Sequence, residues 1–354
     1  MTESVARIRR RLEDVRASAA LLTAQTHVRW ATGFTGSNGM VLIDPDRVVL
    51  ITDPRYQTQA PAECPGAEVV VTPDALVHRV RDFVAGKGDM VIDPQRTTLG
   101  LYRSLIRELP DLELREVPGW LDSAIAVKDA REVQRIAAAQ AVTDAVWSEV
   151  PEFVRPGSTE RDIAAEIVYR HLSRGADRMA FEPIVAAGPN AALPHGHPSD
   201  RPVVIGELVL VDMGCFLNGY ASDMTRMVCI GRVPNELSDI YEVVRQAQEA
   251  ALRSARAGMI ARELDAVARD VIGQAGLGEY FVHGLGHGLG IEVHEWPRVG
   301  RNAEYALPPG CVVTIEPGVY IPGKVGVRIE DIVVLEEGSA RNLTRSSHEL
   351  TIIG

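Results

Sequence analysis

The sequence predicts an α+β protein in two parts: a smaller α/β domain over residues 1–122, and a larger domain over 123–354 whose helices lie beside a mainly antiparallel sheet. Three observations carry this. At 354 residues the chain is long for a single hydrophobic core. Up to about residue 122, short helical and strand patterns alternate. Beyond it, long helical patterns are interleaved with strand pairs that turn residues can join.

Met1–Ser18 is studded with Arg and Glu and reads as the first turns of an amphipathic helix, without the apolar core of a signal peptide. Met40–Ile43 and Arg47–Thr52 read as strands around the turn Asp44-Pro45-Asp46. Asp82–Val84 and Met90–Ile92 continue the α/β alternation, and Pro118–Asp122, turn residues around an isolated Trp120, reads as the linker. The Ala-rich stretch Asp129–Val150 opens the second domain as a long helix. Further helices are expected at Glu160–Ser173, Asn235–Ala257 and Ala261–Ala275, and strands at Leu208–Asp212, Gly219–Ile230, Cys311–Glu316 and Val325–Leu335. No repeat of solenoid period interrupts this order.

Composition excludes several functions. A net charge of −11 argues against nucleic acid or an acidic membrane as partner, since both want a basic face. No run approaches 18 consecutive apolar residues, so no membrane span is expected. Cys64, Cys215, Cys229 and Cys311 show no metal-binding spacing, and the last three sit in apolar surroundings, as buried thiols of a reducing compartment do; the expected location is cytoplasmic.

Five side chains of metal-liganding type lie in or near strand patterns: Asp212, Asp223, His287, Glu316 and Glu330. Four carboxylates and one imidazole carry more negative charge than one divalent ion needs and match two close ions, which together make a nucleophile at neutral pH and polarise a carbonyl. Asn218-Gly219 is a strong hairpin signal, because a type I′ turn needs positive φ at both central positions. With that turn, residue 212 faces residue 225, and Asp223 lies diagonal to Asp212 at about 7–8 Å along the backbone. Two aspartates on one strand face repel unless a cation lies between them. Thr225, on the same face, is a natural hydroxyl partner for a ligand.

Glu316 and Glu330 are 14 residues apart, and the turn Pro322-Gly323-Lys324 allows a second hairpin to bring them into the same cavity. Arg328 shares a strand face with Glu330, where it neutralises excess carboxylate charge or binds substrate. His283 and His287 have the spacing of a zinc-protease helix, but Gly284-Leu285-Gly286 makes a helix improbable and no Glu follows the first His. His195 and His294 lie beside turn residues, where side chains project into a cleft, whereas His27, His78, His171, His197 and His348 read as surface residues.

The ordered set Asp, Asp, His, Glu, Glu resembles the pita-bread-fold metallopeptidases, and within them the Xaa-Pro group of prolidase and aminopeptidase P. His195 stands 17 residues before Asp212 and His294 seven after His287, as in that group. Thr32–Gly39 and Ile51–Tyr56 resemble the N-terminal half of its short bacterial members. The resemblance implies a C-terminal pita-bread domain behind a creatinase/prolidase-type N-terminal domain, in a homodimer. It implies metal ligands Asp212, Asp223, His287, Glu316 and Glu330, with Asp223 and Glu330 bridging two ions. His195, His283 and His294 would be the non-ligand histidines, and Glu316 the general base. Methionine aminopeptidases normally lack this N-terminal domain, and creatinase lacks the ligands, all of which are present here.

The expected reaction is hydrolysis of the Xaa-Pro bond of small peptides with proline second. A tertiary amide offers no N–H to recognise, so the ring's shape and the free amino terminus must give specificity. His294 would steady the oxyanion, and Glu316 would carry a proton to the prolyl nitrogen. The oxygen-rich donor set favours Mn²⁺, with Co²⁺ or Zn²⁺ as alternatives. A dipeptidase must neutralise a carboxylate just past the proline, and Arg298, four residues after His294, stands at a position resembling that of the carboxylate-binding arginine of some microbial prolidases. That favours dipeptidase over an aminopeptidase P acting on tripeptides and longer. An inactive binding protein on this fold would be expected to have lost ligands.

Overall fold

Short apolar runs in the first third of the chain pair into one mixed sheet. The computed structural model describes residues 3–354, which divide into the units Met1–Ile125 and Ala126–Gly354. In the first, strands β1 (Ala20–Leu22), β2 (Gly39–Ile43), β3 (Val48–Thr52), β4 (Glu68–Val71), β5 (Asp89–Ile92) and β6 (Glu113–Glu116) take the order β4-β3-β2-β1-β5-β6. Pairing is antiparallel on both sides of β2 and parallel elsewhere. The expected N-terminal helix runs Glu3–Val15 and buries Val5, Ile8 and Leu12 at helical spacing, while Met1 and Thr2 lie outside the described residues. Asp82–Val84 form the last turn of the helix Leu76–Val84, and Arg47 belongs to the turn, its N–H donating to Asp44 Oδ1 at 2.7 Å. Pro118–Asp122 is packed rather than an open linker: Trp120 and Leu121 are buried, and Arg11 Nε donates to the Trp120 carbonyl at 2.9 Å.

In the second unit, capping boxes set the starts of two long helices. Asp129 and Glu132 cap Ala130–Ser148, and Thr159 and Asp162 cap Glu160–Ser173, each cap being worth about 1 kcal/mol. Helices Asn235–Ser254 and Ala261–Gln274 pack against each other. The strands are β7 (Arg178–Met179), β8 (Ile184–Ala187), β9 (Leu208–Met213), β10 (Cys215–Leu217), β11 (Tyr220–Ala221), β12 (Met224–Ile230), β13 (Gly286–Gly288), β14 (Glu295–Val299), β15 (Val312–Ile315), β16 (Gly318–Ile321), β17 (Val325–Arg328), β18 (Asp331–Glu336), β19 (Ser339–Asn342) and β20 (Thr351–Ile353). They form sheets β20-β12-β9-β8, β14-β13-β15-β18-β19 and β11-β10-β7, with β16-β17 as a separate hairpin. All pairings in this unit are antiparallel except β12 with β20.

Every residue of β9 and β12 is buried, so both faces of this sheet are covered. The two-residue period sorts them. Val209, Val211, Met224 and Val228 pack with Val146, Trp147, Ile163 and Ile167 of the capped helices. Leu208, Leu210, Met227 and Cys229 face the opposite core, with Leu285, Val313, Ile315 and Val327. Asp212 and Thr225 continue this second face and so point toward the sheet that carries His287. No helix is long and apolar enough to cross a membrane among the described residues.

Two expected strands are broken. Gly219–Ile230 divides into β11 and β12 around Ser222-Asp223, and Val325–Leu335 into β17 and β18 around Ile329-Glu330. In both cases the flanking pieces pair in different sheets, so the chain must turn out of one plane at the break. A carboxylate stands at each break, and Glu316 follows the end of β15 directly.

Candidate metal centre

The turn that begins the centre has the expected chemistry: Asn218 has φ 52° and Gly219 φ 82°, the two positive values of a type I′ turn. The register that follows pairs Leu217 with Tyr220 and Asp212 with Thr225, as expected. Asp223, expected inside the ladder, lies just before its first pair, Met224 with Met213. From there it meets two residues of other elements. Ligand atoms of Asp223, His287 and Glu330, all three buried, lie within 4.8 Å of one another.

His287 enters on β13, a strand and not a helix, between two glycines. A Cβ at Gly286 would come within 2.8 Å of Thr314 Oγ1 and strike the Thr314 carbonyl, so only glycine lets β13 approach β15 this closely. The Thr314 hydroxyl accepts the His287 N–H and donates to Glu316 Oε1, both at 3.0 Å. His287 Nδ1 lies 3.1 Å from the Gly288 carbonyl, which can only accept, so Nδ1 carries a hydrogen. Nε2 therefore faces the carboxylates, 3.2 Å from Glu316 Oε1 and 3.8 Å from Asp223 Oδ2.

Burial, with the neighbouring carboxylates, pushes Asp223 and Glu330 well above the usual carboxylate range, and burial raises Asp212 despite the opposing charge of Arg328. Burial also pushes Glu316 up, but the hydrogen bond and charge of His287 overcome it and hold the group at about 2. Asp212 Oδ1 is buried with no hydrogen-bond partner among the described residues. An orphaned carboxylate oxygen and carboxyls crowded into a dry site are what a divalent cation relieves, so this donor set fits metal.

Arg328 is buried and spends its guanidinium on the protein: Nη2 donates to Asp212 Oδ2 at 2.5 Å, Nε to Thr225 Oγ1 at 3.0 Å, and Nη1 to Tyr320 OH at 2.8 Å and the Pro194 carbonyl at 3.1 Å. Its place is that of a charge-balancing group. Tyr320 also donates to His283 Nε2 at 3.0 Å, because Nδ1 of that ring donates to the Gly284 carbonyl at 2.7 Å.

Asp212, Asp223, His287, Glu316, Glu330, His195, His283, His294, Arg298 and Arg328 all line one cavity of about 540 Å³. His294 stands beside His287, ring centroids 4.3 Å apart, and Arg298 faces His287 across the β13–β14 ladder. The Arg298 side chain makes no hydrogen bond or ion pair among the described residues. Phe181, Ile184, Val293 and Val299 add apolar wall.

Sequence reasoning missed Thr314 and Tyr320. Thr314 shares a strand face with Glu316, so the two-residue period was a usable signal; nothing in Gly-Val-Tyr-Ile singles out Tyr320. The surface reading of the remaining histidines holds for His78 and in part for His197, which is exposed but borders the cavity. It fails for His27 and His171, both buried in helices whose apolar faces cover a core. His348 is half-buried, with Nε2 2.6 Å from Asp331 Oδ2.

Comparison with known proteins agrees with this geometry. Residues 134–337 match the model of metallopeptidase family M24, and residues 5–127 that of the creatinase/prolidase N-terminal domain. The chain is 41% identical over 238 residues to a Xaa-Pro dipeptidase of Pyrococcus furiosus, covering 67% of this chain and 68% of that protein. A Xaa-Pro dipeptidase structure from Bacillus anthracis superposes with TM-score 0.96 at 34% identity, covering 99% of both chains. An X-Pro aminopeptidase from Thermotoga maritima superposes with TM-score 0.92 at 34% identity, covering 97% of this chain and all of that one. The larger unit is thus the pita-bread domain of a two-domain hydrolase, and the chain belongs to metallopeptidase family M24.

Proposed function

We propose that this protein is a Xaa-Pro dipeptidase in which Asp212, Asp223, His287, Glu316 and Glu330 would hold two divalent ions. The observation that carries the dipeptidase reading is Arg298. Its guanidinium, with no partner among the described residues, borders the same cavity as these ligands, where a carboxylate just past proline needs a cation. The Xaa-Pro dipeptidases among the relatives and structural neighbours support it.

When bound, the ions supply Lewis-acid polarisation of the scissile carbonyl and a nucleophile at neutral pH. Glu316 accepts a proton from the attacking water and returns it to the prolyl nitrogen as that leaves. His294 steadies the oxyanion and His195 contacts the substrate, while His283, with both ring nitrogens bonded to the protein, holds the Tyr320 hydroxyl in place. Phe181, Ile184, Val293 and Val299 give the pyrrolidine ring an apolar wall. Arg328 is better supported as the counter-charge to Asp212 than as a substrate-binding residue, since four of its hydrogen bonds are to the protein. The oxygen-rich donors favour Mn²⁺. Four buried, unpaired cysteines support a reducing, cytoplasmic setting, and the homodimer follows from family resemblance.

Arg298→Ala tests this. It should weaken Xaa-Pro dipeptide hydrolysis by about 1.5–3 kcal/mol, the worth of a charge-assisted hydrogen bond, and tripeptide hydrolysis much less. Equal losses on both would assign Arg298 a structural role. The X-Pro aminopeptidase neighbour favours a second reading, cleavage of longer peptides, which the same substrates separate.

A further inference from the structure

Lys128 stands just ahead of the capped helix at Ala130, and its side chain is 1% exposed. Its ammonium lies 2.5 Å from Oε2 of Glu295, itself 5% exposed. The other Glu295 oxygen, Oε1, accepts the Glu292 backbone N–H at 3.0 Å, so this carboxylate closes the bend Glu292–Glu295 that carries His294. Gly290 is wrapped over the pair: a Cβ there would come within 2.6 Å of Lys128 Cε and 2.9 Å of Glu295 Oε2. Lys128 is fixed from behind, its N–H donating to the Gly310 carbonyl at 2.9 Å, just ahead of β15, which leads directly into Glu316. Neither Lys128 nor Glu295 lines the cavity.

A buried ion pair is a poor source of stability, because stripping two charges of water is costly and apolar replacement of both is often neutral or stabilising. Geometry is the better account of this one. We infer that the Lys128–Glu295 ion pair positions His294, fixing the bend so that the imidazole stays beside His287 and faces the substrate carbonyl. Both are positioning residues, joining the start of the catalytic unit to a side chain 166 residues away in sequence. This rests on the reading of His294 as a substrate-facing group.

The test replaces the pair by apolar side chains of similar volume, Lys128→Met with Glu295→Leu. The double variant should melt near the wild type and load metal fully. Its kcat on a Xaa-Pro dipeptide should fall roughly 10-to-100-fold with KM unchanged, the size of effect seen when an orienting partner is lost. The imidazole resonances of His294, assigned by their loss in His294→Gln, should shift. Near-wild-type kcat with unshifted resonances would overturn the inference. Should the wild type cleave no Xaa-Pro substrate, the functional reading fails, and the His294 resonances alone decide the positioning. If the double variant does not fold, Glu295→Gln decides: it keeps the acceptor for Glu292 but unpairs Lys128. A shift of the His294 resonances there supports the inference, and their constancy overturns it.

Discussion

Thr225 Oγ1 donates to Glu330 Oε2 over 2.7 Å while accepting from Arg328 Nε at 3.0 Å. One hydroxyl thus ties the carboxylate of a proposed metal ligand to the guanidinium that balances Asp212, its partner across the ladder. Thr225→Val keeps the shape and removes that bond. It should weaken metal binding roughly 10-to-100-fold, read by competition with a chelator. Asp223→Asn, which removes the charge of a proposed ligand, should fail to load. Wild-type affinity in Thr225→Val would mean that Glu330 needs no orientation.

His195 and His294 border the cavity without belonging to the buried cluster of Asp223, His287 and Glu330. His195→Ala and His294→Ala should each keep their metal, measured by elemental analysis, and lose about 10²–10³-fold in kcat. A variant with near-normal kcat would return that histidine to a surface role.

His171 is wholly buried, with Nδ1 donating to the Ile167 carbonyl at 2.9 Å and Nε2 3.3 Å from Thr143 Oγ1. Burial pushes its pKa below the ordinary 6.5. Between the folded and unfolded values the unfolded chain holds the extra proton, so this contribution to stability is complete above the unfolded value and is lost as pH falls below it. Urea unfolding at pH 5–8 should show a steeper loss in the wild type than in His171→Gln, by at most about 1.4 kcal/mol per pH unit for one proton. Equal slopes would mean that His171 takes up its proton alike in the native and the unfolded chain.

Local chemistry was legible in the sequence and long-range chemistry was not. Asn218-Gly219 determines its own turn, and counting back from it paired Asp212 with Thr225 correctly. The breaks at Ser222-Asp223 and Ile329-Glu330 were hidden, because they arise where one strand's halves join different sheets. His171 looked like a polar residue of a helix; only packing against Thr143, 28 residues earlier, makes it core. The ion pair of Lys128 with Glu295 spans 167 residues and left no local trace.

The central claim is tested most directly by the wild-type enzyme, loaded with Mn²⁺, acting on a Xaa-Pro dipeptide and on the Xaa-Pro-Xaa tripeptide that extends it. The Arg298 guanidinium, with no partner among the described residues and bordering the same cavity as the proposed metal ligands, predicts the higher kcat/KM on the dipeptide, with proline as a product. Cleavage of the tripeptide alone would contradict it and establish an aminopeptidase P.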